Sequence, residues 1–273
     1  MNTSNIWKWA KRVLLGIVGL ILLVVVYAVG SIVIDANFGA KSTELTNVTY
    51  PGEDGVTLHA YLAEPEEPGT YPGIILIHEW WGLNEGIIVL ADALADEGYV
   101  VLAVDAYRGE VTNQVPRAIV LRTTTPQEQI FADVDAGFAY LQSLPNVNLD
   151  KLASMGFCFG GGQSLQLGMR QSEDLALTVM YYGSVVTDLE ALRPLKDSQG
   201  VLGIFGEEDQ QIFVEDVLEF EAAMNTLEIE NEITIYEDVG HAFLNEENYD
   251  EPGAAGEAWK QTLEFLEREF GEE

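Results

Sequence analysis

Beyond residue 50, the sequence predicts an α/β fold in which helices cover both faces of a mostly parallel sheet. Short apolar runs alternate with helical patterns to the end of the chain, which is typical of parallel strands joined by helices. The chain has 273 residues and 48% of them are apolar, so it can bury a large core. We expect one α/β domain over residues 50–273, preceded by an appendage.

The appendage contains an uncharged stretch of 22 residues, from Val13 to Ile34. A helix rises about 1.5 Å per residue, so this stretch is long enough to cross a hydrocarbon core roughly 30 Å thick. Lys8, Lys11 and Arg12 precede it, and basic residues stay on the cytoplasmic side of a membrane. The sequence therefore predicts a membrane anchor within residues 1–35, with the rest of the chain extracytoplasmic, either periplasmic or extracellular.

A cleaved signal segment is the alternative for the same residues. Ala28-Val29-Gly30 before Ser31 resembles a small-residue cleavage site, and cleavage there would give a secreted protein. The apolar run continues past this point and exceeds the ~7–15 residues of a typical signal core, which favours the anchor. We interpret the polar stretch that follows, residues 36–49, as a linker.

Seven strands and five helices are predicted in the domain from the periodicity of apolar residues. The first strand alternates as an edge strand would. The second helix starts at Thr125-Pro126-Gln127-Glu128, which has the pattern of a capping box with proline at the first helical position. The predicted strands lie near residues 58–62, 73–78, 99–105, 152–155, 175–181, 201–205 and 232–236. The predicted helices lie near residues 87–97, 126–144, from 163 onward, 217–227 and 259–270.

The domain is strongly acidic. Three of the 13 basic residues and none of the 45 acidic residues precede Asp35, which leaves a net charge of about −35 on the rest of the chain. Such a surface repels nucleic acid and anionic lipid, so it argues against nucleic-acid binding and other phosphate-binding roles. Solubility or a saline habitat would each account for the charge.

The single cysteine, Cys158, lies in Gly156-Phe157-Cys158-Phe159-Gly160, between a predicted strand and a predicted helix. This is the glycine-x-nucleophile-x-glycine pattern of a nucleophile elbow, with cysteine in the place of serine. The glycines permit a strained turn, and the start of the helix favours the thiolate. A buried structural cysteine is the alternative, but the glycine pattern favours a nucleophile.

A thiol nucleophile needs a base, and the chain contains three histidines. His59 lies on the first predicted strand, where a surface or packing role is expected. His78 ends a strand at the same edge of the sheet as the elbow, so it stays an alternative base. His241 follows the last predicted strand, where α/β-hydrolases carry their base. We expect His241 to be the base.

Asp209 is the candidate acid, because it stands in the turn directly after strand 201–205. The chain order nucleophile, acid, histidine is the one that α/β-hydrolases use. Asp209 would hold the imidazole of His241 in the required tautomer and stabilise its cation. The neighbouring Glu207 and Glu208 are expected to be solvated.

Six motifs, in order over about residues 50–270, resemble the successive motifs of the dienelactone hydrolase family, which has the α/β-hydrolase fold. They are His78-Glu79-Trp80-Trp81-Gly82-Leu83, Asp105-Ala106-Tyr107-Arg108-Gly109, Gly156-Phe157-Cys158-Phe159-Gly160-Gly161, Tyr181-Tyr182-Gly183, Gly206-Glu207-Glu208-Asp209 and Gly240-His241-Ala242-Phe243. The resemblance implies a role for Glu79, which matches a glutamate that contacts the resting thiol and helps to activate it. It also implies that the backbone amides of Trp80 and Phe159 form the oxyanion hole.

The resemblance further implies substrate contacts, for which the candidates are Arg108, Trp81 and Tyr107. Family members that act on carboxylated lactones hold the carboxylate between two arginines, and Arg108 matches the first of them approximately. The second should follow His241 by a few residues, where this chain has Asn245 and two acids instead. We therefore predict a preference for neutral esters or lactones.

The predicted reaction is ester or lactone hydrolysis through a thioester acyl-enzyme. This chemistry requires no metal and no organic cofactor, and the sequence contains neither an HExxH motif nor a phosphate loop. The expected partners are a small-molecule ester or lactone and, through the first helix, the membrane. The sequence also allows two alternatives: a general carboxylesterase or thioesterase on the same fold, and a membrane-tethered binding module without catalysis.

Overall fold

Eight strands form one sheet in the computed structural model, which describes residues 3–271. Their spatial order is β1-β2-β4-β3-β5-β6-β7-β8, and every neighbouring pair from β4 across to β8 is parallel, whereas β1 and β2 are antiparallel to their neighbours. The strands are β1 (Val48–Pro51), β2 (Thr57–Ala63), β3 (Tyr71–Ile77), β4 (Val100–Val104), β5 (Val147–Phe157), β6 (Leu177–Tyr181), β7 (Gly200–Gly206) and β8 (Asn231–Tyr236). The predicted mostly parallel sheet of an α/β-hydrolase-type fold is confirmed.

The described part of the chain also contains eight α-helices. They are α1 (Thr3–Phe38), α2 (Glu85–Asp96), α3 (Val115–Thr124), α4 (Gln127–Gln142), α5 (Phe159–Arg170), α6 (Leu189–Leu192), α7 (Val214–Thr226) and α8 (Ala254–Phe270).

Strand β3 shows why both faces of the sheet carry helices. All its residues from Gly73 to Ile77 are buried, as expected for a central parallel strand. Successive side chains point to opposite faces, so Ile74 and Leu76 pack with α2 and α8, and Ile75 and Ile77 pack with α4. The carboxyl ends of the parallel strands then meet at one edge of the sheet, which the motif residues follow.

The edge strand is not the one that the sequence predicted. Strand β2 covers the predicted edge segment, but it lies between β4 and a further strand, β1. Strand β1 has four residues and ends in Pro51, so its short, weakly apolar pattern gave no prediction. Strand β5 also starts earlier than predicted, at Val147, because its first residues pair with the start of β3.

Two helix starts also differ from the sequence patterns. Helix α4 begins at Gln127 with Pro126 as an extended N-cap residue, and no side chain caps it, so the predicted capping box does not form. Helix α3 was not predicted, although Pro116 stands in its first turn, a position that favours proline.

Helix α1 is long and apolar enough to cross a membrane, judged by length and composition. Most of its side chains are exposed, but the face containing Ala28, Ser31 and Asp35 is partly covered where α1 contacts α3. Arg117 of α3 donates a hydrogen bond of 2.7 Å to Glu110 and lies 4.0 Å from Asp35. The last turns of α1 therefore pack directly against the α/β domain.

Residues 36–49, interpreted from sequence as a linker, contact the domain as well. Helix α1 continues to Phe38, and a short 3₁₀ turn follows at Ser42–Glu44. The hydroxyl of Ser42 is buried and donates a hydrogen bond of 2.6 Å to Asp105. Asp105 also accepts from the backbone amides of Tyr107 and Gly109, so this segment closes onto the turn after β4.

Candidate active site

Cys158 lies in the tight turn between the end of β5 and the start of α5. Its φ is +53°, a left-handed conformation that non-glycine residues rarely adopt, and its amide donates to the carbonyl of Tyr181 at 3.0 Å. A Cβ atom on Gly160 would come within 2.1 Å of the carbonyl oxygen of Ile77. Strand and helix can approach this closely only because glycine stands there, which explains the elbow pattern in the sequence.

Burial raises the pKa of the Cys158 thiol to about 12, and the nearby Glu79 adds to this effect. The backbone amides of Phe159 and Trp80 act on the thiol in the opposite direction and lower its pKa. The sequence led us to expect a thiolate favoured by the start of the helix. Burial outweighs that effect here, so the resting group is a neutral thiol.

His241 and Asp209 are joined by a hydrogen bond of 2.7 Å between Nδ1 of the imidazole and Oδ2 of the carboxylate. The other carboxylate oxygen of Asp209 accepts from the backbone amides of Gln211 and Ile212, at 2.7 and 3.1 Å. The Asp209 side chain is fully buried. It is therefore fixed in one orientation, and it fixes the imidazole in turn.

The second imidazole nitrogen, Nε2 of His241, is buried and has no hydrogen-bond partner among residues 3–271. His241 and Cys158 line the same cavity. Tyr182 packs its ring 5.2 Å from that of His241, and its hydroxyl donates to the carbonyl of Leu244 at 3.0 Å. Tyr182 thus braces the loop that carries the histidine, a role that sequence reasoning missed.

His78, the alternative base, has both ring nitrogens engaged in the fold. Nε2 accepts a hydrogen bond of 3.1 Å from the amide of Ala106, and Nδ1 lies 2.5 Å from the carbonyl oxygen of Glu79. The residue is fully buried, and burial lowers its pKa. Because neither nitrogen can accept a proton without losing a contact, His78 is suited to holding two loops rather than to acid–base chemistry.

Glu79 lies close enough to Cys158 for its charge to act on the thiol. Burial raises the pKa of Glu79 to about 7, and the charge of Glu246 adds to the shift. A carboxyl group with such a pKa changes its protonation state near neutral pH, where it can accept or return a proton.

The cavity has a volume of about 450 Å³, within the range of about 300–1,000 Å³ found for small-molecule sites. Of the residues predicted from sequence, Cys158, His241, Trp80 and Phe159 line it.

Arg108, predicted to contact substrate, does not line the cavity. Its guanidinium donates two hydrogen bonds to the buried Asp133, at 2.6 and 2.7 Å, and one of 2.9 Å to Asp54. Each of its three nitrogens thus already donates to a carboxylate of the protein. The sequence predicted that Arg108 contacts substrate. In the structure, its guanidinium instead binds the carboxylates of Asp133 and Asp54.

Trp81 and Tyr107 are also absent from the cavity lining. Trp81 packs its ring edge against Trp80, with ring centroids 4.9 Å apart. Tyr107 is buried between His78 and Phe159, with ring centroids 4.9 and 5.4 Å away. Trp81 thus packs against Trp80, and Tyr107 against Phe159, two rings that do line the cavity.

Several lining residues were not found from the sequence. Arg122, at the end of the unpredicted α3, contributes a guanidinium whose carbon lies 5.0 Å from the ring centroid of Phe159. Four glutamines also line the cavity: Gln127, Gln163, Gln166 and Gln211. The proline in the first turn of α3 was the signal that could have placed Arg122. Within residues 3–271 no group of three or more His, Cys, Asp and Glu side chains is arranged to hold a metal ion.

A sequence profile of the dienelactone hydrolase family matches residues 58–270 of this chain. A protein of Synechocystis sp., whose name gives carboxymethylenebutenolidase as an inferred activity, is 30% identical over 246 residues, covering 82% of this chain and 97% of its own length. A crystal structure from Klebsiella pneumoniae, described as an inferred dienelactone hydrolase, superposes with a TM-score of 0.67 at 26% identity, covering 81% of this chain and 99% of the other.

The fold alone is shared with a dienelactone hydrolase-like phosphotriesterase from metagenomic libraries, which has a TM-score of 0.68 at 19% identity and covers 81% of this chain and 97% of its own. The family match covers most of the chain and includes both sides of the cavity. The chain therefore belongs to the dienelactone hydrolase family and is a hydrolase of the ester or lactone type.

Proposed function

We propose that the chain hydrolyses esters or lactones through a thioester on Cys158, with His241 as base and Asp209 as the orienting acid. The single observation that carries the proposal is the hydrogen bond of 2.7 Å between His241 and Asp209, which leaves the buried Nε2 of His241 without a partner among residues 3–271, beside the cavity that Cys158 also lines. A histidine held in this way can take a proton at Nε2 and return it later.

The first half of the reaction starts from the neutral thiol. Glu79 accepts the thiol proton, and the thiolate of Cys158 attacks the carbonyl carbon of the ester. The negative charge moves to the carbonyl oxygen, where the amides of Trp80 and Phe159 donate to it; the same two amides act on the resting sulfur. The tetrahedral intermediate then collapses, the carbon–oxygen bond to the leaving alkoxide breaks, and His241, as its imidazolium, supplies the proton. For this step the proton must pass from Glu79 to His241.

The second half releases the acid. Nε2 of His241 removes a proton from a water molecule, and the resulting hydroxide attacks the thioester carbon. The carbon–sulfur bond breaks, and the sulfur leaves as a thiolate, which takes from His241 the proton that came from water and so restores the resting thiol. Asp209 keeps the imidazole in one tautomer through both halves and stabilises its cation.

We further propose that α1 anchors this enzyme in a membrane with the hydrolase domain outside the cytoplasm. The length and apolar composition of α1 support the anchor, and the three basic residues before the apolar run support the orientation.

The experiment is turnover of 4-nitrophenyl acetate and δ-valerolactone by the full chain in detergent. Cys158→Ala should reduce kcat/KM by about 10³-fold or more, and His241→Ala should be comparably damaging. His59→Ala is the control, because it removes a histidine of β2 that does not line the cavity, and it should leave turnover intact. Intact-mass measurement during turnover of 4-nitrophenyl acetate should show an added acetyl group that Cys158→Ala lacks. Activity of Cys158→Ala within tenfold of the unmodified chain would rule out the thioester route.

A further inference from the structure

The side chains that line the catalytic cavity differ sharply from those of the rest of the chain. Four of the 11 glutamines line it, whereas no acidic residue between 3 and 271 does. In a chain with a formal net charge of −32, the wall of this cavity is nearly neutral and rich in amides.

The amides come from three different elements. Gln127 opens α4, Gln163 and Gln166 lie one turn apart on α5, and Gln211 follows Asp209 in the loop after β7. One hydrogen bond of 2.7 Å joins Nε2 of Gln127 to Oε1 of Gln163, which is buried. That bond orients both amides and leaves an oxygen on Gln127 and an NH₂ group on Gln163 for another partner.

The other two glutamines, Gln166 and Gln211, are not held by a bond of this kind. The side chains of Gln166 and Gln211 make no hydrogen bond with any residue between 3 and 271. Each amide therefore offers one acceptor and two donors to whatever occupies the cavity. Trp80, Phe131 and Phe159 supply aromatic surface beside them, against which the carbon skeleton of a ligand can pack.

We propose that these amides form a subsite for an ester or lactone that carries several hydroxyl groups, such as a sugar or polyol ester; this rests on the proposed esterase function. A hydroxyl group donates one hydrogen bond and accepts others, which matches the mixed donors and acceptors of a primary amide. An apolar ester would leave the amides without partners when it displaced their water, and that loss disfavours its binding.

An anionic substrate is the competing occupant, because Arg122 lines the same cavity. Arg122 is exposed, and the described wall contributes one arginine and no lysine. The acidic domain surrounding the cavity would also oppose the approach of an anion, most strongly at low salt. The wall thus offers one guanidinium against four amides.

The test compares pairs of substrates that differ in their hydroxyl groups. The first pair is 6-O-acetylglucose and cyclohexylmethyl acetate, and the second is glucono-δ-lactone and δ-valerolactone. For the full chain, kcat/KM should favour the hydroxylated member of at least one pair by about tenfold or more. Gln166→Leu and Gln211→Leu should each lower that ratio by about threefold or more. Gln129→Leu is the matched control, since Gln129 lies on α4 outside the cavity lining and should keep the ratio.

Three results would contradict the proposed subsite. The first is a ratio near one for both pairs. The second is a hydroxyl preference that survives both glutamine variants. The third is a tenfold preference for cyclohexylmethyl hemisuccinate over both acetates that Arg122→Gln abolishes, which would identify an anion site instead. If no ester or lactone is turned over at all, the proposed hydrolase function itself fails, and the subsite fails with it.

Discussion

Arg108 holds the carboxylate of Asp133 through two parallel hydrogen bonds, from Nε to Oδ2 at 2.6 Å and from Nη2 to Oδ1 at 2.7 Å. Asp133 lies on α4 and is 3% exposed, so the pair ties the turn after β4 to a helix that covers the sheet. These bonds raise the pKa of Arg108 above its ordinary value. The arginine of the motif at residues 105–109 thus takes part in an ion pair that joins two elements of the fold.

Replacing Arg108 should therefore affect stability before it affects catalysis. Arg108→Ala leaves a buried carboxylate without its partner, which we expect to cost about 3 kcal/mol and to lower Tm by roughly 6–12 °C. Differential scanning calorimetry measures this change. Asp54→Asn is the control, because it removes only the exposed partner of the same guanidinium and should leave Tm nearly unchanged. An unaltered Tm together with a raised KM in Arg108→Ala would return Arg108 to the substrate site.

The resting thiol should be slow to react with alkylating agents. Since burial raises the pKa of Cys158 to about 12, only about 10⁻⁴ of the thiol is ionised at pH 8, compared with roughly a quarter of free cysteine. Iodoacetamide modification, followed by mass spectrometry, should proceed orders of magnitude more slowly than that of free cysteine and accelerate as pH rises above 9. Rapid modification at pH 7 would show that the resting group is a thiolate.

The acid limb of the pH profile should depend on Glu246. Glu79 has a pKa of about 7, raised by burial and then by Glu246, and it must be ionised to accept the thiol proton. We expect kcat/KM to rise with pH through about 7, and Glu246→Gln to move this midpoint to lower pH because one repelling charge is gone. Burial remains the larger cause, so the shift is partial.

Glu247→Gln makes the same change of charge one residue away and serves as the control. The raised pKa of Glu79 also affects how the free energy of unfolding depends on pH. Its contribution stabilises the fold fully below about pH 4.5 and is lost as pH rises through 7. An acid limb at the same pH in Glu246→Gln and the unmodified chain would contradict the coupling of the two carboxyls.

The proposed membrane anchor predicts where the protein is located. Full-length protein should sediment with membranes, and its carboxyl terminus should be accessible to protease added from outside the cell. Cell fractionation with immunoblotting measures both. A soluble product that begins near Ser31 would instead identify residues 1–30 as a cleaved signal segment.

The motif residues around Cys158 and His241 were predictable because their chemistry depends on local sequence. The elbow needs glycine where backbones approach closely, so Gly156 and Gly160 mark it in the sequence. Asp209 and His241 follow strands whose apolar runs are clear, and parallel strands bring the ends of such runs together.

The cavity wall was not predictable in the same way. Arg108 follows Tyr107 in a recognisable motif, but its direction depends on Asp133, which is 25 residues further along the chain and gives no local signal. Arg122 and Gln166 lie on helices whose exposed positions look alike in sequence. Which of those positions face the cavity is decided by how the helices pack on the sheet, and periodicity alone does not contain that information.

The contact between α1 and α3 affects how the cavity would be oriented relative to the first helix. Arg117, near Asp35 of α1, precedes Arg122 of the cavity wall by five residues on one helix, a distance of about 7.5 Å along its axis. A domain joined to its anchor by a flexible linker would rotate freely, and its cavity could face any direction. Here α1 and α3 are in contact, so in a bilayer the proposed anchor would restrict how far the cavity can turn about the axis of α1.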